Sequence, residues 1–246
     1  MSAGETWRLL LTWDAPPGFN MALDEALLTG GDPRPVLRLY TWAPEAVSLG
    51  YFQRYDEVVA ALAARAAELP RLVRRLTGGG AIHHARELTF SIAIAASHPL
   101  YRGPVADSYA RVHAALAAAL LLHGAAAQPR AARALASDDP ESPMCFHRST
   151  PLDLAWGGRK GVGSAQRRTG GRVLHHGSIK LGASALEGGV AAVDAVSAQA
   201  LGRSLAEVFA GRFGLSFAEE APSEEELLRA RAREAHFSSP AFLRRR

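Results

Sequence analysis

The chain has one cysteine, Cys145, and covalent chemistry is easiest to place there. A thiolate is a good nucleophile toward thioesters when a nearby cation lowers its pKa. Lys160 or a histidine could be that cation, although spacing along the chain does not bring them together. Without such a partner the same thiol is a small buried hydrophobe. One cysteine also rules out an internal disulfide and any multi-cysteine metal site. The lysines narrow the search. Of 28 basic residues only Lys160 and Lys180 are lysine, and arginine stands everywhere else. Lysine is a compact, mobile point charge with a tunable pKa, so a position kept as lysine in this chain points to that chemistry. For Lys180, coincidence explains the choice equally well.

Two glycine-rich segments could hold the group under attack. In Arg74-Arg75-Leu76-Thr77-Gly78-Gly79-Gly80-Ala81, consecutive glycines let the backbone approach a ligand closely, and their N–H groups can cradle an anion or a carbonyl. The plain alternative is an ordinary glycine turn. Named nucleotide motifs fail here: no lysine follows in a P-loop pattern, and position 83 is His where G-x-G-x-x-G needs Gly. The second segment runs Gly158-Arg159-Lys160-Gly161-Val162-Gly163-Ser164-Ala165-Gln166. A lysine among small residues on a strand suits a carbonyl or phosphate oxygen, though an exposed lysine on a surface hairpin reads the same way. The pairs His83-His84 and His175-His176 invite a metal reading. Adjacent strand side chains point to opposite faces, so a pair rarely serves one ion and no metal site is expected. No G-x-S-x-G supports a serine triad.

These residues need a frame. Trp7 to Trp13 reads as a strand, and Phe19 to Leu28 as a helix with Asn20 as a plausible cap. Val36 to Trp42 alternates as a strand. Asp56 to Leu69 reads as an amphipathic helix ended by Pro70, and Leu72 to Leu76 as a strand leading to the glycines. Leu88, Phe90, Ile92 and Ile94 share one face of a core strand, and Asp107 to His123 is a long Ala-rich helix. Ser137 to Pro151, with three prolines, predicts a surface loop around Cys145, where chemistry tends to sit. Leu152 to Trp156, Gly-Gly, and Lys160 to Gln166 predict a hairpin. Thr169-Gly170-Gly171 turns into a strand from Arg172 to Leu181. From Ala195 onward the pattern is helical, with a capping box at Ser223 to Glu226. Mixed strands and helices with at least two hairpins predict an α+β fold, mixed β-sheets flanked by helices, not a doubly wound parallel sheet.

A chain of 246 residues with 48% hydrophobic content fits a single domain, residues 1–246, with a sizeable core. The longest apolar run, Ala114 to Leu122, is too short to span a bilayer, and MSAGETWRLL has no signal-peptide pattern, so no membrane association and a cytoplasmic location are expected. A net charge of +4 suits an acidic partner. The basic residues are scattered apart from Arg244–Arg246, without interleaved aromatics, so nucleic acid is the weaker choice against an acidic carrier protein.

Taken together, these segments resemble the lipoate–protein ligase, octanoyltransferase and biotin ligase superfamily. The stretches that match are Asn20-Met21-Ala22-Leu23-Asp24-Glu25, Leu37-Arg38-Leu39-Tyr40-Thr41-Trp42, Ser48-Leu49-Gly50-Tyr51-Phe52-Gln53, Arg74 to Ile82, Gly158 to Gln166 and His176-Gly177-Ser178-Ile179. They occur in the family's order over roughly residues 7–182, with 195–246 as a helical C-terminal part. The resemblance implies the biotin/lipoate protein ligase catalytic-domain fold and an acyl tunnel lined by the Thr-Gly-Gly-Gly loop and the Lys160 strand. It places substrate-binding residues at Arg75, Thr77, Gly78, Gly79, Gly80, His84, Gly163, Ser164, Ala165, Gln166 and Ser178. Glu87-Leu88-Thr89-Phe90-Ser91 looks like the cysteine-dependent octanoyltransferases, which also carry a Cys-Phe pair where this chain has Cys145-Phe146. Two departures stand out: Ala85 replaces an aspartate common after the histidine matching His84, and His147 to Pro151 match only loosely.

What this branch implies is ping-pong acyl transfer with Cys145 and Lys160 as catalytic residues. Cys145 takes an octanoyl group from acyl carrier protein, and a lysine of a lipoyl-domain or glycine-cleavage H-type protein then accepts it, in lipoate biosynthesis. N–H groups near Gly79 or Gly80, or the Lys160 ammonium, would stabilise the oxyanion. The base for the amine is not evident, and no cofactor is expected. An ATP-dependent lipoate–protein ligase, which would use ATP and Mg, is the runner-up; the absence of an adaptor domain after the main one weighs mildly against it. A non-catalytic module that holds acylated proteins is the third reading.

Overall fold

A computed structural model describes residues 4–245. Met1 to Ala3 of the N-terminal stretch, and Arg246 of the terminal arginine run, lie outside them. In chain order the elements are β1 (Glu5–Ala15), α1 (Pro17–Thr29), β2 (Val36–Trp42), β3 (Ala46–Leu49), α2 (Tyr55–Ala63), β4 (Arg71–Arg74), β5 (Ile82–His84) and β6 (Glu87–Ala95). They continue with α3 (Val105–Leu121), β7 (Gln128–Pro129), β8 (Leu154–Trp156), β9 (Arg159–Thr169), β10 (Arg172–Lys180), α4 (Ala198–Phe213), β11 (Leu215–Glu219), α5 (Glu224–Arg233) and α6 (Pro240–Leu243). An eight-stranded sheet has the order β11-β1-β2-β6-β10-β9-β8-β7, and a three-stranded sheet the order β4-β3-β5. Strands β11, β1 and β2 run parallel, and the rest of the large sheet is antiparallel. The α+β expectation of mixed sheets and helices therefore holds, hairpins β8–β9 and β9–β10 included. Their turns put Gly157, Gly158, Gly170 and Gly171 at positive φ, a conformation only glycine adopts without strain.

The large sheet has two unlike faces. On one, Leu88, Phe90, Ile92 and Ile94 join Leu37, Leu39, Val162 and Val173 in a core covered by α3 and α4. On the other, polar side chains stand in rows across the strands, and all are buried. Register pairs Tyr40 with Thr89, Thr89 with Ser178, and Ser178 with Gly163. The next row is Arg38, Ser91, His176 and Ala165, and a third pairs Glu87 with Lys180. This polar face is the one that carries the site.

Several boundaries differ from expectation. Asn20 lies inside α1 rather than capping it; its amide donates to Ala15 O (3.2 Å) and Thr41 O (3.1 Å), tying helix to strands. Helix α2 stops at Ala63, because after Leu62 no residue up to Pro70 is fully buried to anchor a longer helix. The strand expected through Leu76 ends at Arg74. The C-terminal part is not wholly helical: Leu215–Glu219 adds a strand beside β1, its backbone pairing outweighing a short, mixed pattern. The stretch around Cys145 is a loop with Pro140, Glu141, Arg148, Thr150 and Pro151 exposed, as expected, but its centre does not lie at the surface. Met144, Phe146 and His147 are buried, and the polar residues there satisfy one another, as Ser142 Oγ does with His147 Nδ1 at 2.8 Å.

Candidate active site

Cys145 opens a single 3₁₀ turn, Cys145–His147, held against the glycine loop by Cys145 N donating to Ala81 O (2.7 Å) and Ala81 N donating to Pro143 O (2.9 Å). That contact explains Gly80, since a Cβ there would lie 2.8 Å from Cys145 N. Lys160 enters from the start of β9. Its ammonium lies 3.5 Å from Cys145 Sγ and 2.9 Å from Asp153 Oδ2, and donates to the carbonyls of Cys145 (2.9 Å) and Arg148 (3.0 Å). Burial pushes the Lys160 pKa down, but Cys145 and Asp153 outweigh it and the net shift is up. The ammonium is therefore kept charged. Gly163 covers the pair: a Cβ would sit 3.0 Å from Lys160 Cε and 3.1 Å from Cys145 Sγ.

The second lysine has an explanation too. Lys180 is buried between two carboxylates, Glu87 (2.9 Å) and Glu187 (2.6 Å), which raise its pKa against the effect of burial. Phe146, the residue after Cys145, has the Lys180 ammonium 4.6 Å and the Lys160 ammonium 5.6 Å from its ring centre. Both ammoniums thus approach one aromatic ring, a favourable contact once water is excluded.

A narrow slot runs from Cys145 along β9 and β10. Its walls are Gly78 and Gly79 of the glycine loop, Gly163 to Ala165, His176 to Ser178, Ile82, Met21, Tyr40 and Trp42. Apolar side chains and bare glycine backbone suit a thin alkyl chain. Arg75, buried, shapes the loop: its guanidinium donates to Gly78 O (2.9 Å), Gly80 O (2.6 Å) and Ser48 O (2.9 Å). Thr77 faces His176 (2.6 Å), whose other nitrogen meets Asp24 (3.0 Å). Asp24 also takes bonds from Arg38 (2.9 Å), Ser91 (2.8 Å) and Tyr40 (3.1 Å). Its pKa is lowered, because these partners outweigh its burial.

Of the residues singled out by sequence, Cys145, Arg75, Gly78, Gly79, His84, Gly163, Ser164, Ala165 and Ser178 border the slot, with Lys160, Thr77 and Gly80 directly behind its lining. Gln166 is not there. It lies on the opposite face of β9, bonded to Ser108 (2.9 Å) and His175 (3.2 Å). Each histidine pair splits across its strand: His83 meets Ser184 while His84 enters the slot, and His175 joins Tyr101 while His176 enters it. Four groups escaped sequence reasoning: Asp153, Glu87, Ser48 and Asp24. Asp24, Ser48 and Glu87 sit inside stretches already noted, but only the sheet register shows that Glu87 and Thr89 face inward opposite the Leu88–Phe90 core face.

Residues 16–197 match the lipoyl protein ligase A/B catalytic domain family, and the chain belongs to it. Among curated relatives it is 44% identical over 180 residues to an octanoyltransferase LipM of Moorella thermoacetica, and 38% identical over 184 residues to that of Bacillus subtilis. Each alignment covers 72% of this chain and 66% of the relative, so just under two thirds of those proteins is matched. Among solved structures, a putative lipoate protein ligase from T. acidophilum with bound lipoic acid superposes with a TM-score of 0.78 at 22% identity, covering 98% of this chain and all of that one. A lipoate-protein ligase A bound with ATP gives 0.76 at 23% identity, covering 97% of this chain and 98% of its own. These two share the fold.

Proposed function

We propose that the protein transfers an octanoyl group from acyl carrier protein to a lysine ε-amine of a lipoyl-domain or glycine-cleavage H-type protein, as a cytoplasmic step of lipoate biosynthesis. The observation that carries this reading is the 3.5 Å approach of Lys160 Nζ to Cys145 Sγ at the end of a narrow slot, in a chain 44% identical to an octanoyltransferase. Cys145, as thiolate, attacks the carrier thioester. The carbonyl oxygen becomes an oxyanion, stabilised by the Lys160 ammonium or by N–H groups of the glycine loop. The carrier thiolate leaves and an octanoyl thioester remains on Cys145. The acceptor amine then attacks that carbonyl, the C–S bond breaks, and the amide departs. Splitting the transfer lets one site serve two protein partners in turn, and the route uses no nucleotide. No helix among the described residues is long and apolar enough to cross a membrane.

Intact mass after mixing with octanoyl-carrier tests the route. The native protein should gain one octanoyl group and Cys145→Ala none; a Cys145→Ala protein that keeps its transfer rate would exclude the covalent step. Lys160→Ala should lower turnover at least tenfold, as loss of an oxyanion donor does. Pyrophosphate release with free lipoate and ATP, indifferent to Cys145, would favour a ligase instead, and no turnover with any donor would favour a binding module.

A further inference from the structure

The Lys160 ammonium is held by Asp153, which stands just before β8 and needs holding in its turn. Its carboxylate accepts from Thr150 N (2.7 Å) and its carbonyl from Arg130 N (2.7 Å), and both donors sit in loops. A long element reaches the residue beside it. Leu152 O lies 2.6 Å from Nδ1 of His113, a buried histidine in the middle of α3. We propose that His113 is a positioning residue that fixes the Leu152–Asp153 segment from the α3 side of the large sheet, and so keeps the Lys160 ammonium against Cys145. The catalytic consequence rests on the acyl-transfer reading.

The hydrogens around His113 have one consistent order. A carbonyl only accepts, so Nδ1 carries the hydrogen and donates to Leu152 O. Nε2 lies 2.7 Å from Ser164 Oγ and, in the neutral ring, offers a lone pair, so the hydroxyl donates to it. Ser164 Oγ then accepts from His175 Nε2 (3.0 Å), which leaves His175 Nδ1 to accept from Tyr101 Oη (3.1 Å) and Gln166 Nε2 (3.2 Å). Each hydrogen in this row points on toward Leu152. Burial lowers the pKa of both imidazoles and keeps them in the form with one donor and one acceptor. The Tyr109 ring packs against both, with centroids 5.6 Å and 4.8 Å away. Gln166 and His175, which do not point into the slot, thus start a row that ends beside Asp153.

His113 holds the site at two points. Leu152 precedes the carboxylate that lies 2.9 Å from Lys160 Nζ. Ser164 follows Gly163, where a Cβ would lie 3.1 Å from Cys145 Sγ and 3.2 Å from Lys160 Nζ. One imidazole therefore sets the spacing between the carboxylate that holds the ammonium and the strand that carries Lys160 and covers the sulfur. No residue of α3 lines the slot, so His113 acts through these neighbours. Moving a catalytic group by about 1 Å costs up to about a hundredfold in rate, so a hold of this kind matters to turnover.

The two lysines of the chain make the test specific. Both are buried and ion-paired, but only Lys160 is tied to His113 through Asp153. Acetylation of the whole protein by N-hydroxysuccinimidyl acetate, followed by peptide mapping, reads the protection of each lysine. His113→Gln carries its amide nitrogen at the Nε2 position and loses the bond to Leu152 O. It should acetylate Lys160 about tenfold faster than the native protein, leave Lys180 within about twofold, and load octanoyl on Cys145 about tenfold more slowly but to full stoichiometry. His113→Asn places its amide nitrogen where Nδ1 was, keeps that bond, and should stay within about threefold of native in every rate. Combined with Asp153→Asn, His113→Gln should slow loading little further than Asp153→Asn alone, because both act on one contact. Native protection of Lys160 in His113→Gln overturns the proposal. Equal loss of protection at both lysines also overturns it, since that marks a loosened fold, and so does loss of Lys160 protection in His113→Asn. If His113→Gln does not fold, His113→Leu, of similar volume and without a donor, takes its place with the same expectations. Acetylation does not depend on acyl transfer: a native protein that never loads octanoyl would count against that reading, while the protection of Lys160 still decides the role of His113.

Discussion

Asp153 makes the Lys160 ammonium a fixed part of the site. It is the only carboxylate paired with that lysine among the described residues, and it is itself buried. Asp153→Asn should slow octanoyl loading of Cys145 about tenfold or more, measured by quenched-flow mass spectrometry. It should also destabilise the fold by about 3–5 kcal/mol in urea melts, the usual cost of leaving a buried charge unpaired. Gly163→Ala tests the other wall. Its methyl would meet two flexible side chains rather than backbone, so the fold should survive while the Cys145–Lys160 approach opens. Loading at least tenfold slower with an unchanged melting temperature is the expected result. Lys160 illustrates how far single residues were legible. The rarity of lysine marked both positions, because an ammonium fits where a guanidinium cannot. The residues that hold those ammoniums, Asp153, Glu87 and Glu187, carry no such mark in a chain where Asp and Glu are common.

At the level of elements, β6 shows what periodicity can and cannot say. Leu88, Phe90, Ile92 and Ile94 announce a core strand, and they are core. The alternate residues Glu87, Thr89 and Ser91 would ordinarily face water, yet they are buried under α1 and the small sheet, where each finds partners. Local chemistry was more legible at α5. Ser223 and Glu226 form the capping box expected from their spacing, and Glu226 also pairs with Arg8 of β1 at 2.5 Å. Ser223→Ala should therefore lower stability by about 1 kcal/mol, read from the denaturation midpoint, with octanoyl loading unchanged. No residue of the helix lines the slot, so a loss of loading would mean that α5 supports the site through α1, against which it packs.

For the molecule as a whole, the buried polar layer ties stability to pH. His84, His113 and His175 have lowered pKa values, chiefly through burial. Their contribution is present above the unfolded value of 6.5 and is lost as pH falls below it. Asp24 and Glu87 are also lowered, because charged and hydrogen-bonding partners outweigh their burial, so a second loss begins as pH drops through the unfolded values of 3.8 and 4.5. Lys160 and Lys180 are raised, so their contribution holds below 10.5 and fails only above it. Urea midpoints should be flat from about pH 7 to 10, decline just below pH 6.5 and steepen below 4.5. A midpoint that stays level down to pH 4 would mean the histidines are not held neutral. The sequence by itself determined most of the longer elements, the hairpins, the family and the candidate nucleophile with its lysine, but not strands β3, β5 and β11, because periodicity, glycine turns and rare residue types are local properties. Only the tertiary structure decided that Cys145 is within reach of Lys160, that Gln166 turns away, and that the small sheet brings Ser48 and His84 against Glu87 of the large one. Those facts depend on strand register and on which face another layer covers, and neither is written in any short stretch of chain.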